Sequence, residues 1–115
     1  MLNIYLVRIF CVLFGFAAIT NATAVDLTKA KKTFATVCAS CHGYDGKTPT
    51  DASIPKLAGQ HQDYLYHAML EYRNGVRKNP LMQQQMEGSR GISKEDLSAL
   101  ATYISKLPSG LNTAK

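Results

Sequence analysis

The sequence predicts an all-α domain of three to five short helices. Three stretches of the chain repeat their apolar residues at helical spacing, and runs rich in Gly, Pro, Asn, Asp and Ser separate them. The chain has 115 residues and no βαβ pattern, so it forms one small domain at most.

The first predicted helix begins after Asp26, a residue type that commonly caps helix N-termini, and runs to about Ala39. Helical spacing is the observation that supports it. The apolar positions that follow this spacing are Leu27, Ala30, Phe34, Val37 and Cys38. Gly43 and Gly46 then end the helical region and open a loop.

The end of this helix carries Cys38-Ala39-Ser40-Cys41-His42, in which a histidine directly follows the second of two cysteines. This is the c-type haem attachment pattern: two thiols add to the haem vinyl groups, and the adjacent imidazole becomes the proximal iron ligand. We therefore expect one covalent haem c, held by Cys38 and Cys41, with His42 on its iron. Phe34, one turn before Cys38, is expected near the haem edge and against another helix.

The same cysteines have other interpretations. A redox dithiol also uses Cys-x-x-Cys, but the following histidine and the lack of a βαβ pattern disfavour it. A structural zinc needs four ligands, and the sequence has no second Cys-x-x-Cys pair. A disulfide or a chance occurrence is the remaining alternative. Haem attachment is the interpretation we prefer.

The loop after the motif contains Pro55, which lacks an N–H but has a free carbonyl. One use for this carbonyl is to accept the outer N–H of His42, which would orient the ring and make it a stronger donor to iron. The alternative is that Pro55 only shapes a turn. The sequence does not separate the two.

A second helix is predicted over residues 62–74, with Gly75 as its stop. His61 and His67 are interpreted as surface or partly buried residues rather than iron ligands. The predicted inward-facing residues are Tyr64, Leu65, Ala68, Met69 and Tyr72.

Residues 76–91 show little periodicity and contain two methionines, Met82 and Met86. A thioether is a soft, neutral ligand that favours ferrous iron, so a His/Met pair raises the potential of a haem. Pro80 is expected to hold the chain extended and so to aim the side chain of Met82. We favour Met82 as the distal ligand, with Met86 as the alternative. For either residue, the competing interpretation is that it fills a gap against the haem.

The last helix has the clearest end signals. Ser93 is the predicted N-cap, and Asp96 stands three residues later as a short-armed capping box. Tyr103 lies beside the apolar stripe and is expected to meet Phe34. The stripe itself consists of Leu97, Leu100, Ala101, Ile104 and Leu107.

Residues 1–24 are predicted to be a secretory signal peptide, and residues 25–115 the haem domain. Arg8 supplies the positive charge, residues 9–19 the apolar run, and residues 22–24 a small-x-small cleavage site. An uncleaved membrane anchor is the alternative. Export agrees with the haem motif, because c-type haem is attached outside the cytoplasm in bacteria. We therefore expect a periplasmic protein, membrane-tethered if the signal is retained.

The charge pattern points away from nucleic acid, since there is no basic groove with interleaved aromatic residues. The whole chain has a net charge of +5, and residues 25–115 carry +4 because the signal contains one cation and no anion. Lys29, Lys31 and Lys32 cluster on the first helix. Such a cluster steers acidic partners, but we prefer the simpler interpretation of a solvated face.

Taken together, these motifs make the chain resemble class I cytochromes c, especially the small bacterial periplasmic monohaem proteins or one half of the dihaem ones. The resemblance implies a few helices around one haem, with the first and last helices crossing. It also implies that the proline carbonyl binds the proximal histidine and that a methionine on the later loop is the distal ligand. The stretches that carry it are residues 38–43, 45–46, 55–60, 64–65, 73–77 and 93–103.

The sequence departs from these relatives at one position. They usually place the ligand methionine about eight residues before the serine that caps the last helix. Here that position is Gln85, whereas Met82 and Met86 stand eleven and seven residues before Ser93. The Asn-Pro-Leu-Met context favours Met82, with an insertion after it.

A haem with both axial positions filled leaves no open iron site, so the sequence predicts an electron carrier rather than an enzyme. Its expected partners are redox proteins, an electron donor and an acceptor that include membrane respiratory complexes, with no small-molecule substrate. One alternative is a haem enzyme or gas sensor with an open distal site. Another is a haem subunit of a larger respiratory complex.

Overall fold

The computed structural model describes residues 25–87 and 92–109. The predicted signal peptide, residues 1–24, lies outside the described residues. Every regular element within the two described ranges is helical, which confirms the predicted all-α class. The elements are α1 (Leu27–Thr33), a π-helical turn (Phe34–Cys38), α2 (Ala39–His42), α3 (Gln62–Arg73), α4 (Pro80–Met86) and α5 (Lys94–Ser105).

The core lies where α1 and α3 both pack against α5, with α4 packed against α3. Phe34 is 1% exposed, and its ring lies 5.6 Å from that of Tyr103 with the two planes tilted by 57°. This contact between the first and last helical segments confirms the predicted one. The buried core residues are Phe34, Ala39, Leu65, Met69, Met86, Ile92, Leu97, Leu100, Ala101 and Ile104.

The first helical segment runs without a break from α1 through the π turn to His42, three residues beyond the predicted end. In the π turn, the N–H of Ala39 donates to the carbonyl of Phe34, five residues earlier instead of four. Ala39 therefore lies one turn after Phe34 and is buried, while Cys38 is partly buried and packs against the edge of the core. The predicted apolar stripe is correct for Phe34, Val37 and Cys38, but it missed Ala39 because it assumed an unbroken α-helix.

The second helix ends as predicted. α3 stops at Arg73, Asn74 is its C-cap, and Gly75 adopts a φ of +70° that suits a residue without Cβ. The predicted inward face was correct for Leu65 and Met69, which are buried, but wrong for Tyr64, which is 51% exposed. The Tyr64 ring instead lies under the guanidinium of an arginine that follows α3, as described below.

The segment that contains the two methionines was predicted to be extended at Pro80, and this prediction was wrong. Pro80 occupies the first position of α4, where a residue needs no N–H partner and where the proline φ suits a helix. Asn79 is the N-cap, and its side-chain oxygen accepts the N–H of Met82 at 3.1 Å. Met82 and Met86 are therefore one helical turn apart, on the same face of α4.

The predicted capping box of the last helix is confirmed. The Ser93 hydroxyl accepts the N–H of Asp96 at 3.1 Å, and the Asp96 carboxylate accepts the N–H of Ser93 at 2.8 Å. The Asp96 carboxylate also pairs with Lys29 at 2.7 Å, which links α5 to α1. Over the ranges 25–87 and 92–109, no helix has the length and apolar character needed to cross a membrane.

Candidate haem site

A cavity of about 460 Å³ opens between α2, the loop that follows it, α3 and α4. Its walls are mostly apolar, and this volume lies in the range typical of cofactor sites. The residues that the sequence predicted for the site all line it: Cys38, Cys41, His42, Pro55, Met82 and Met86.

His42 is held in one orientation by Pro55. The imidazole is 5% exposed, and its Nδ1 lies 2.8 Å from the Pro55 carbonyl oxygen. A carbonyl only accepts hydrogen bonds, so Nδ1 carries a proton and Nε2 is the ring nitrogen left to face a metal. This is the arrangement that a metal-ligating histidine needs, with the outer N–H on a backbone carbonyl.

The loop after the motif folds back over it through a turn at Gly43. The φ of Gly43 is +83°, and a Cβ there would lie 2.2 Å from the backbone oxygen of Thr48. The carboxylate of Asp45 closes the turn by accepting the N–H groups of Lys47 and Thr48 at 2.9 and 2.8 Å, together with the Thr48 hydroxyl at 2.7 Å. These bonds, with that of the Lys47 N–H as the largest cause, lower the pKa of Asp45 to about 2.

The two cysteines have the properties of structural attachment points rather than of a reactive dithiol. Both are free, with Cys38 partly buried and Cys41 exposed. Burial raises the pKa of the Cys38 thiol to about 11, whereas Cys-x-x-Cys oxidoreductases depend on a lowered thiol pKa. Across the described part of the chain, no group of three or more His, Cys, Asp or Glu side chains is arranged to hold a metal ion. Neither the dithiol nor the zinc interpretation is therefore supported.

The two methionines differ in burial. Met86 is 2% exposed and belongs to the core cluster, while Met82 is partly buried at the edge of that cluster. Both side chains line the cavity.

The cavity fits a c-type haem by its chemistry. It combines an apolar lining with two thiols, one imidazole and two thioether side chains, which are the attachment groups and axial donors of such a haem. Thr36, Val37 and Leu65 contribute to the remaining wall. The fold and this site together define an all-α haem protein.

One part of the cavity wall was not predicted from local sequence. Arg77 lines the cavity, and its guanidinium carbon lies 5.8 Å from the ring centroid of Tyr64 and 5.4 Å from that of Tyr72. Nε of Arg77 donates to the Glu71 carboxylate at 3.2 Å, and Nη2 forms an ion pair with the same carboxylate at 3.1 Å. Nη1 also donates to the Tyr64 hydroxyl at 3.5 Å, and the hydrogen bonds to Tyr64, the largest cause, and to Glu71 raise the pKa of Arg77 above its ordinary value. Because these partners lie up to thirteen residues apart in the chain, the sequence motifs that include Tyr64 and Arg77 did not predict that the two side chains meet.

Comparison with known protein families agrees with this site. The family described as Cytochrome c matches the chain over residues 27–108, and the chain belongs to this family. A member of this family carries a covalent c-type haem with its iron, and Cys38 and Cys41 fit the attachment motif.

Three curated relatives illustrate the similarity. The chain is 32% identical to cytochrome c4 of Azotobacter vinelandii over 71 residues, which cover 61% of this chain and 34% of that protein. It is 34% identical to the thiosulfate dehydrogenase electron acceptor of Stutzerimonas stutzeri (strain A1501) over 74 residues, which cover 64% of this chain and 33% of that protein. It is 35% identical to cytochrome c-554(548) of Halomonas halodenitrificans over 68 residues, which cover 59% of this chain and 81% of that protein.

The chain spans about a third of the length of the first two relatives and about four fifths of the third. The relationship to cytochrome c4 agrees with the predicted likeness to one half of a dihaem protein. The names of these relatives describe cytochromes and, in one case, an electron acceptor of thiosulfate dehydrogenase.

Proposed function

We propose that this protein is a periplasmic carrier that passes single electrons between redox proteins, with His42 and Met82 as the axial ligands of its haem c. The observation that carries the proposal is that one apolar cavity is lined by the attachment cysteines, by a histidine whose Nδ1 donates to a backbone carbonyl and by the methionine face of α4. When bound, the haem supplies a one-electron couple at its iron.

The protein residues have two tasks in such a carrier. The first is to hold the donors in place in both oxidation states, and the hydrogen bond from His42 to Pro55 supports this on the proximal side. The second is to exclude water, because an apolar surrounding tunes the potential and limits reorganisation. The buried side chains of Leu65 and Met69 in the cavity wall support this second task.

The choice of Met82 over Met86 rests on packing. Met86 is buried among core residues, so moving its sulfur towards a ligand would open a gap in the core. Met82 stands at the core edge, one turn before Met86 on the same helix face, and can turn towards the cavity without that cost. Both axial positions would then be filled, which supports a carrier without a small-molecule substrate and without catalytic activity.

We infer the partners from chemistry and from the relatives. One relative is named as an electron acceptor of thiosulfate dehydrogenase, which supports a donor of the dehydrogenase class for this protein. The acceptor would be a further redox protein, for example a respiratory complex.

The periplasmic location follows from interpreting residues 1–24 as a signal peptide. Mass spectrometry of the haem-bearing chain tests this location: cleavage near Val25 supports it, and an intact leader favours a membrane-tethered form.

A potentiometric titration of the purified holoprotein, with a carbon monoxide addition at the end, tests the function. We expect one reversible one-electron wave and a ferrous spectrum that carbon monoxide leaves unchanged, since no iron position is open. Immediate carbon monoxide binding by a high-spin ferrous form would contradict the carrier and favour a haem enzyme or gas sensor. Co-purification of a partner in constant ratio would instead identify a haem subunit of a larger complex.

A further inference from the structure

We propose that Arg77 is a positioning residue for the distal ligand. It ties the connection between α3 and α4 to the side of α3, and so limits the movement of Met82 away from the iron. The inference rests on the proposed ligation by His42 and Met82.

The contacts of the Arg77 side chain all lead to α3. Its Nε donates to one oxygen of the Glu71 carboxylate at 3.2 Å, and its Nη2 forms an ion pair with the same oxygen at 3.1 Å. Its Nη1 donates to the Tyr64 hydroxyl at 3.5 Å. The guanidinium also lies over the rings of Tyr64 and Tyr72. One cation therefore contacts three side chains spread over the length of a single helix.

Apart from Arg77, the side chains of the connection between α3 and α4, residues 76–79, are exposed. The N–H groups of Val76 and Arg77 both donate to the Glu71 carbonyl at 2.9 and 3.1 Å, which fastens the beginning of the connection. The Val76 side chain is 71% exposed, and Lys78 and Asn79 are exposed as well. Within residues 76–79, Arg77 is thus the side chain that reaches back to α3.

The contacts of Arg77 with α3 lie close to Met82 along the chain. Asn79 caps α4 through its bond to the Met82 N–H, so only Lys78 separates Arg77 from the cap. Movement of the connection is therefore passed to the first turn of α4, which contains Met82. Met86, one turn later, is anchored in the core and keeps the far end of α4 in place.

Arg77 is held against α3 by several modest contacts rather than by one ion pair. An exposed ion pair alone contributes little, but the hydrogen bonds to Glu71 and Tyr64 and the two aromatic rings under the cation add to it. The effect of Arg77 should appear in how often Met82 leaves the iron, not in whether Met82 binds at all. The rate at which an external ligand replaces the methionine measures this directly.

The test uses the ferric holoprotein and follows replacement of methionine by imidazole through the loss of the methionine–iron absorption band. We expect Arg77→Gln to raise the replacement rate ~3–10-fold. Glu71→Gln should act in the same direction, because it removes the carboxylate that holds the cation. The double variant should be no faster than Arg77→Gln alone, since both changes break one interaction. The exposed neighbour provides the matched control, and Lys78→Gln should leave the rate unchanged.

Amide hydrogen exchange gives a second measurement that does not depend on the iron. In Arg77→Gln, the backbone N–H groups at positions 76 and 77 should exchange faster than in the wild type, because the connection opens more often. Unchanged imidazole and exchange rates in Arg77→Gln would overturn the role of Arg77. Slower replacement of the methionine by imidazole in Glu71→Gln would also overturn this role. Arg77 would then act through its positive charge and not through its bond to Glu71. A wild type without the methionine band would overturn the ligation itself.

Discussion

Nδ1 of His42 lies 2.8 Å from the carbonyl oxygen of Pro55, thirteen residues further along the chain. This hydrogen bond joins the attachment motif to the opposite end of the loop that follows it. The loop must therefore turn back sharply after His42, and Gly43 and Asp45 make that turn. The conformation of this loop thus sets the direction in which the free nitrogen of His42 points.

A methyl group at Gly43 should disrupt this turn. In Gly43→Ala, the new Cβ would lie 2.2 Å from the Thr48 backbone oxygen, at a φ of +83°. We expect a loss of at least ~3 kcal/mol in the free energy of unfolding, from the clash and the left-handed backbone together. Denaturant titration of the haem-bound protein measures it.

Gly75→Ala is the matched control for this prediction. Its φ of +70° is similar, but the nearest atom to a new Cβ is Gln83 Nε2 at 3.5 Å, an ordinary contact. The control should lose only the ~1–2 kcal/mol that a left-handed conformation costs a residue with a Cβ. Equal losses in the two variants would show that the contact with Thr48 is unimportant.

Asp45 should make the stability of the protein depend on acid pH. Its pKa falls from an ordinary 3.8 to about 2 in the folded protein, so the folded state favours the carboxylate form. The resulting stabilisation is present above the unfolded pKa and is lost as the pH falls from about 4 to about 2. Asp45→Asn should therefore be less stable than the wild type at pH 6, and this difference should shrink towards pH 2.

Denaturant midpoints measured at several pH values check this prediction, because comparing the two proteins cancels the titration of other carboxylates. A stability difference between wild type and Asp45→Asn that stays the same from pH 6 to pH 2 would argue against it.

Phe34 should contribute strongly to stability because it joins the first helical segment to α5. It is 1% exposed and contacts the Tyr103 ring, so Phe34→Ala removes a large buried side chain. We expect a loss of ~3–5 kcal/mol in the free energy of unfolding. Val76→Ala, at a 71% exposed position, should change it by less than ~0.5 kcal/mol. A Phe34→Ala loss as small as that of Val76→Ala would mean that the core packs differently.

Helix ends were predictable from the sequence because their signals are local. The reciprocal bonds of Ser93 and Asp96, and the left-handed glycine after α3, depend on residues at most three or four apart. The contact between Phe34 and Tyr103 was predictable for a different reason. Both helices carry a clear apolar stripe, and two such stripes in a small domain have to face each other.

Other features depend on contacts that a local pattern does not contain. α4 has seven residues, too few for a periodic signal, and Pro80 is equally compatible with an extended segment and with a helix start. The π turn adds one residue to a helical turn, so Ala39, whose N–H donates to the carbonyl of Phe34, is buried although the α-helical spacing does not predict it. Tyr64 is exposed and contacts Arg77, a partner thirteen residues away that a local pattern does not contain.

The central claim is that His42 and Met82 are the axial ligands, and the absorption spectrum of the oxidised holoprotein tests it most directly. The wild type should show the weak long-wavelength band expected for ferric haem with methionine ligation. Met82→Ala should lose this band and bind imidazole or carbon monoxide readily. Met86→Ala should keep the band while losing ~2–5 kcal/mol of stability, because it leaves a cavity in the core. A band that survives in Met82→Ala and disappears in Met86→Ala would reassign the ligand to Met86, and a wild type without the band would contradict methionine ligation altogether.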